Sequence, residues 1–370
     1  YYLHLILEIG DQVSVLYPGS GTSEADLRGE IEAALKRAAP GFLKTVGLWH
    51  PPEQGVPDPY TGAMSQPIST WRTLRAQIGQ EYAVKTVDLS TGRVPGDVDV
   101  LVVVAPQGLS DIERYAVDQY LMRGGALIVA AGSYVLSPQQ LGGGITLDRV
   151  EDGLHDLLRA YGVEVGEEMV LDPRNEPFPY TVPRQVGSMQ VIEIVQVKYP
   201  YFVDVRQDSM DRDSAIVARL PAITLQWASP LRIDEEANAD RDVTVLLTSS
   251  ERAWLRAGAD VNPDMNLYPE WGFPIEGEQR AWPLAAAIRG SFDSAFRDQP
   301  PPTSATGDDQ AQGAVGMIET SPESARLVVV GSAEFLDDTV LSLSRDVSGD
   351  RYLNNLQFVQ NAVDWAVEDE

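Results

Sequence analysis

Apolar residues are spaced differently in successive stretches of the chain, and each spacing predicts an element. Residues 3–17 alternate around Gly10-Asp11, the pattern of a β-hairpin. Ser23 then caps a helix with Glu24 and Asp26 in its first turn and Leu27, Ile31 and Leu35 as its stripe. Lys36-Arg37 fall where the helix dipole favours cations, and Pro40-Gly41 stops it. From Lys44 the rhythm becomes strand, helix, strand. Thr45–His50 reads as a short strand, Trp71, Leu74 and Ile78 mark a helix ending at Gly79, and Tyr82–Leu89 follows as a strand. Val100–Ala105 and Ala126–Ala131 are uninterrupted apolar runs, the mark of parallel strands covered on both faces. Between them Ser110 and Glu113 form a capping box, opening a helix with Ile112, Ala116, Val117, Tyr120 and Leu121 on one side. Strands alternating with helices at this spacing predict an α/β fold, a doubly wound, mainly parallel sheet with right-handed crossovers.

The remainder is less regular. Gly153–Tyr161 reads as a helix. Residues 180–233, rich in Val, Ile, Tyr and Pro, predict β-hairpins over one end of the sheet. Val243–Thr248 and Leu327–Val330 are further apolar strands, and Gln299–Gly313 is expected to be a mobile loop. A last helix carries Leu353, Leu356, Val359, Val363 and Val367 on one face with Phe358, Ala362 and Trp365 beside it, enough apolar circumference to dock into the body. The expected division is a hairpin and helix over 1–40, the tail of a preceding module, then one α/β domain over 41–370. That domain has an irregular β-rich elaboration at about 173–240 and the loop at 299–313.

Composition narrows the function classes. Fifty-five acidic residues against 28 basic ones give a net charge of −27, which repels nucleic acid and anionic lipid. The absence of cysteine excludes disulfides, thiolate metal sites and thiol nucleophiles. The 44% apolar content is that of a globular protein, and no apolar run reaches the roughly 18 residues of a membrane span. A start at Tyr1-Tyr2-Leu3-His4 reads as a segment of a longer protein, with any membrane anchors lying elsewhere.

The stretch Asp97-Val-Asp-Val-Leu-Val-Val-Val-Ala-Pro-Gln-Gly-Leu-Ser110, continuing into Ala116–Gly125 (AVDQYLMRGG), resembles the ABC-type auxiliary components associated with gliding motility. Val243–Trp254 (VTVLLTSSERAW), Leu327–Phe335 (LVVVGSAEF) and Asn354–Trp365 (NNLQFVQNAVDW) are similar to the same family in the same order, so the resemblance runs from about Lys44 to the end. It implies a flavodoxin-like fold similar to class I glutamine amidotransferases and to an intraflagellar-transport domain. It further implies an extracytoplasmic, membrane-tethered position beside an ABC permease and ATPase, and a binding or scaffolding role without catalytic residues, metal or cofactor.

Candidate chemistry belongs at the strand ends, because ligands of open parallel sheets sit beyond the carboxyl ends of the strands. Those ends carry Glu53, Gln107, Ser133, Ser249 and Glu334, a speculative ligand-binding set. Ser133, following the strand Ala126–Ala131, is the one nucleophile candidate of a hydrolase or amidotransferase-like alternative, with His50 or His155 as base. The surrounding residues are not Gly-x-Ser-x-Gly, and His155 lies within the helical pattern of Leu154, Leu157 and Leu158. Asp208, Asp211 and Asp213, and likewise Asp240 and Asp242, lack calcium-loop spacing and read as solvated turns. Gly142-Gly143-Gly144 lacks the Lys-Ser/Thr of a phosphate loop and reads as a flexible turn. Tyr268, Trp271, Phe273 and Trp282 form a loop aromatic group that could stack on a glycan, a second alternative, or plug into the domain. A glycan or peptide is the expected class of ligand.

Overall fold

Val100, Val102 and Val104 face one core while Leu101 and Val103 face another, so this strand is buried on both sides, as its uninterrupted apolar run requires. The computed structural model describes residues 5–9, 12–16, 27–28, 31, 43–53, 55, 64–138, 144–186, 189–302 and 317–368. Seven strands form the main sheet: β1 (Thr45–Trp49), β2 (Ala83–Thr86), β3 (Val100–Val104), β4 (Ala126–Ala130), β5 (Asp242–Thr248), β6 (Pro283–Arg289) and β7 (Arg326–Val330). Their order is β5-β6-β7-β4-β3-β1-β2. The pairs β1–β2, β1–β3, β3–β4 and β4–β7 are parallel; β6 runs antiparallel to both of its neighbours.

Five helices are described: α1 (Arg72–Ile78), α2 (Asp111–Met122), α3 (His155–Ala160), α4 (Asp338–Ser348) and α5 (Leu353–Val367). Leu74 and Ile78 of α1 and Leu356, Phe358, Val359 and Val363 of α5 pack with Val100, Val102 and Val104. Tyr115, Val117 and Leu121 of α2 and Leu157 and Leu158 of α3 pack with Leu101 and Val103. The expected capping box opens α2, with the Ser110 amide donating to Glu113 at 2.8 Å. The chain is thus a mixed α/β protein with a large, mainly parallel sheet and few helices.

The six predicted strands all lie in this sheet, with Tyr82–Leu89 trimmed to Ala83–Thr86. Several elements went unanticipated, among them β6 and α4 and the short strands Tyr134–Leu136, Leu147–Arg149, Val163–Val165, Met169–Leu171 and Trp254–Arg256. β6 reads Pro-Leu-Ala-Ala-Ala-Ile-Arg, and alanine is a poor strand former by propensity. Ala285 to Ile288 are nonetheless buried between two neighbouring strands, where small side chains leave room for the layers on either face. Helix α4 is rich in Ser, Asp and Thr, and its apolar stripe reduces to Val340 and Leu341.

The β-rich elaboration is made of two-stranded antiparallel pieces. Phe202–Arg206 pairs with Ala222–Gln226, Val163–Val165 with Leu231–Ile233, Met169–Leu171 with Trp254–Arg256, and Tyr134–Leu136 with Leu147–Arg149. They enclose a third core of Tyr199, Tyr201, Phe202, Trp227, Trp254, Trp271 and Phe273. A longer ribbon joins Phe178–Val186 to Met189–Val197. Near the start, Leu5–Ile9 pairs with Gln12–Leu16 as the alternation predicted, and residues 27, 28 and 31 of the helix expected after Ser23 are helical. The rest of that helix, the Gly142-Gly143 part of the glycine turn and most of the loop at 299–313 lie outside the described residues.

Candidate functional site

At the carboxyl ends of β4 and β7 the chain turns through Gly132-Ser133 and Gly331–Glu334, and other parts of the same chain fill the space beyond. The Ser229 amide donates to the Gly331 carbonyl at 2.6 Å, and Ser332 Oγ donates to the Gln226 carbonyl at 2.6 Å. The two backbones approach so closely that a Cβ on Gly331 would stand 2.2 Å from the Ser229 carbonyl oxygen, a contact only glycine permits. Gly132 packs in the same way, its virtual Cβ 2.8 Å from the Ala333 nitrogen.

Ser133 is buried in this packing. Its amide donates to Ser229 Oγ at 3.1 Å and its hydroxyl donates to the Gly166 carbonyl at 2.7 Å. A hydroxyl whose proton points at a carbonyl is not poised to lose it to a base. His155 lies beside this turn, hydrogen-bonded to the Gly132 backbone. Burial holds its pKa below the ordinary histidine range, and Nε2 has no partner among the described residues. His50 is elsewhere, with Nδ1 donating to the Pro51 carbonyl at 2.9 Å and its ring stacked on Trp71.

The other strand-end residues have separate surroundings. Glu53 is exposed and pairs with Arg72 at 3.6 Å. Gln107 is half-buried in a turn whose next two amides, Gly108 and Leu109, donate to the carbonyls of Glu151 and Asp152. Ser249 is buried and accepts the Trp282 amide at 2.9 Å, closing β5 onto β6. Ser133 and Glu334 occupy adjacent turns, and Glu334 Oε1 accepts the Leu136 amide at 2.9 Å.

Glu334 and Asp337 form the most perturbed group here. Both are buried, and Glu334 Oε2 has no partner among the described residues. Burial first, and then the neighbouring Asp337 carboxylate, push Glu334 upward to about 8. Burial pushes Asp337 upward too, but it caps α4 and accepts amides from Thr70, Thr339 and Val340, which favour its ionised form. Asp338 beside them accepts the Thr70 hydroxyl and the amides of Arg72 and Thr73, bonds that hold it low despite partial burial. Sequence reasoning named Glu334 and missed Asp337; Asp-Asp directly before Thr-Val-Leu was the N-cap signal available. Beside α4 lies a shallow open depression of about 360 Å³ lined by Asp338, Thr339, Ser342, Leu343 and Asp346.

Three of the four loop aromatics, Trp271, Phe273 and Trp282, are buried, so they pack the chain's own core and do not make an exposed sugar platform. Asp208 pairs with Arg174 at 2.6 Å, which draws its pKa down, and Asp211 accepts the Asp213 amide, so these acids serve an ion pair and a turn. Among the described residues no group of three or more His, Asp or Glu could hold a metal ion, and no helix is long and apolar enough to cross a membrane.

Comparison with known proteins gives the chain a family. An uncharacterized protein of Borreliella burgdorferi is 20% identical over 220 residues, 58% of this chain; the chain spans about two fifths, 41%, of that relative's length. Among solved structures, the mmIFT52 N-terminal domain is similar at a TM-score of 0.43 and 12% identity, covering 87% of this chain and 98% of that one. A ThuA-like protein of Bacteroides uniformis is similar at 0.40 and 11%, covering 90% and 94%. These are loose likenesses. The family model described as an ABC-type uncharacterized transport system, its auxiliary component, matches residues 51–362. The chain belongs to that family of ABC-transporter auxiliary components.

Proposed function

We propose that the chain is a non-catalytic, extracytoplasmic scaffold or binding domain of its transporter, of the gliding-motility type, with its sheet wound as in class I glutamine amidotransferases. It contacts the permease and ATPase assembly and is held at the membrane by segments outside this sequence. The filled strand ends support this reading best. The place where a doubly wound enzyme keeps its substrate is occupied by Ser229, Gln226 and Leu136, and the Ser133 hydroxyl is spent on a backbone carbonyl. The net charge of −27 turns the domain away from anionic lipid, so contact at the membrane falls to protein. A peptide segment of a partner matches this surface better than a glycan, since the candidate stacking rings are largely buried.

The test is affinity purification of the tagged native protein from detergent-solubilised membranes, with protease accessibility in intact cells to establish the side. Permease and ATPase subunits are expected to co-purify, and externally added protease is expected to cut the domain. A cytosolic protein without those subunits would remove the transporter role, and covalent labelling of Ser133 by a fluorophosphonate would remove the non-catalytic one.

A further inference from the structure

Helix α1 has no cap of its own, since Trp71 before it makes no side-chain capping bond. The start of α4 supplies the cap from the other end of the chain. Asp338 accepts the amides of Arg72 at 2.9 Å and Thr73 at 3.0 Å, which open α1 and have no partner within it, and the Thr70 hydroxyl at 2.6 Å. Asp337, which caps α4 itself, accepts the Thr70 amide at 2.9 Å. In return the Asp338 amide donates to the Thr70 carbonyl at 2.9 Å and the Thr339 hydroxyl to the Ile68 carbonyl at 2.5 Å. Together these bonds clasp residues 68–73 to residues 337–339.

The clasp is built over two buried carboxyls. The Asp337 amide donates to the Glu334 carbonyl at 3.0 Å, so both side chains leave one turn, and both are buried. Glu334 Oε1 holds the Leu136 amide, while Oε2 has no partner among the described residues. The surrounding elements bring no cation to the pair. Arg72 of α1 is exposed and turned to Glu53, Arg345 of α4 lies beside Asp346, and Asp364, the one charged residue of α5, accepts the Tyr82 hydroxyl. Residues 131–137 carry no charge, and the nearest charge beyond the pair is Asp338, of the same sign. One carboxylate is accommodated here, solvated by the amides of Thr70, Thr339 and Val340; a second finds no free donor. The depression beside α4, lined by Asp338 and Thr339, brings solvent to within a residue of the pair. Hydrating a second charge therefore requires the clasp to part. We infer that Glu334 and Asp337 form a proton-dependent latch: with one proton between them α4 clasps the start of α1, and with both ionised the clasp opens into the depression beside α4 while the sheet stays folded.

Hydrogen exchange of the full 370-residue chain tests this, read by mass spectrometry on residues 68–78 and corrected for the intrinsic pH dependence of amide exchange. Burial raises both carboxyls above their ordinary range. The closed clasp is therefore firmest near the unfolded carboxylate value of about 4.3 and has lost this contribution once pH passes about 8. Within that window the open population is expected to rise by up to about tenfold per pH unit and to level off above it. Residues 68–78 should exchange faster than β4 throughout. Glu334→Gln, neutral at every pH and still able to accept the Leu136 amide, should keep the segment protected and remove the pH dependence. Asp337→Asn keeps a capping side chain without its charge, and should move the levelling-off to lower pH. Exchange of residues 68–78 no faster than that of β4 would mean that the clasp opens only by global unfolding, which overturns the latch. So does a pH dependence that persists in Glu334→Gln, or a levelling-off that Asp337→Asn leaves in place.

Discussion

The main sheet and the Phe178–Val197 ribbon are both β-structure built from Val, Ile and Leu, yet their environments are opposite. Val102, in a central strand, is 1% exposed between two helical layers, whereas Ile194, in the ribbon, is 71% exposed. In the sheet, register is over-determined: a one-residue slip of β3 would exchange the sides that α2 and α5 cover. In the ribbon no layer covers Ile194, and its register rests on main-chain pairing and on where prolines are tolerated. Composition alone does not separate the two regions; what packs on each side does.

The sharpest way to break the comparison is to place the same charge in both. Val102→Asp buries an unpaired carboxylate and is expected to cost about 4 kcal/mol or more, enough to lose the cooperative thermal transition seen by circular dichroism. Ile194→Asp is expected to change stability by no more than about 0.5 kcal/mol. Comparable losses for the two variants would mean that the ribbon belongs to the core.

A middle-sized effect concerns pH at the end of β7. Glu334 is raised by burial and by Asp337 to about 8, far above the ordinary carboxylate value. The folded state therefore keeps a proton that the unfolded chain gives up. The contribution is present on the acid side and is lost as pH rises through about 8. Denaturant unfolding should show the native chain weakening by roughly 1–3 kcal/mol between about pH 5 and pH 8. Glu334→Gln, neutral throughout, should flatten that slope; parallel slopes for the two proteins would show that Glu334 ionises as an ordinary carboxylate.

The smallest effect refines the sheet side of the comparison. Ala105 leaves β3 with φ of 46°, a left-handed conformation that disfavours any side chain. Ala105→Gly should therefore stabilise the chain, by less than about 1 kcal/mol, read as a small rise in unfolding midpoint. A fall would mean that the methyl group's packing outweighs the strain.

The amino-acid order was enough for the parts whose cause is local. Uninterrupted apolar runs located β3, β4 and β7, Ser110 and Glu113 located the start of α2, and family-like segments in register identified the transporter auxiliary family. Each depends on neighbours a few residues away, or on an order of motifs, which a linear reading can see. What required the tertiary structure depends on distant segments meeting. The alanines of β6 become a strand because β5 and β7 complete their hydrogen bonds. Ser133, Ser249 and Glu334 were legible as strand-end residues, but their roles were not. Those roles follow from Gly166, Trp282 and Leu136, which lie 33 positions or more away along the chain and bond the Ser133 hydroxyl, the Ser249 hydroxyl and Glu334 Oε1. The charge of the Glu334–Asp337 pair was hidden for the same reason, since the cost of ionising a carboxyl is set by how much water the fold leaves around it.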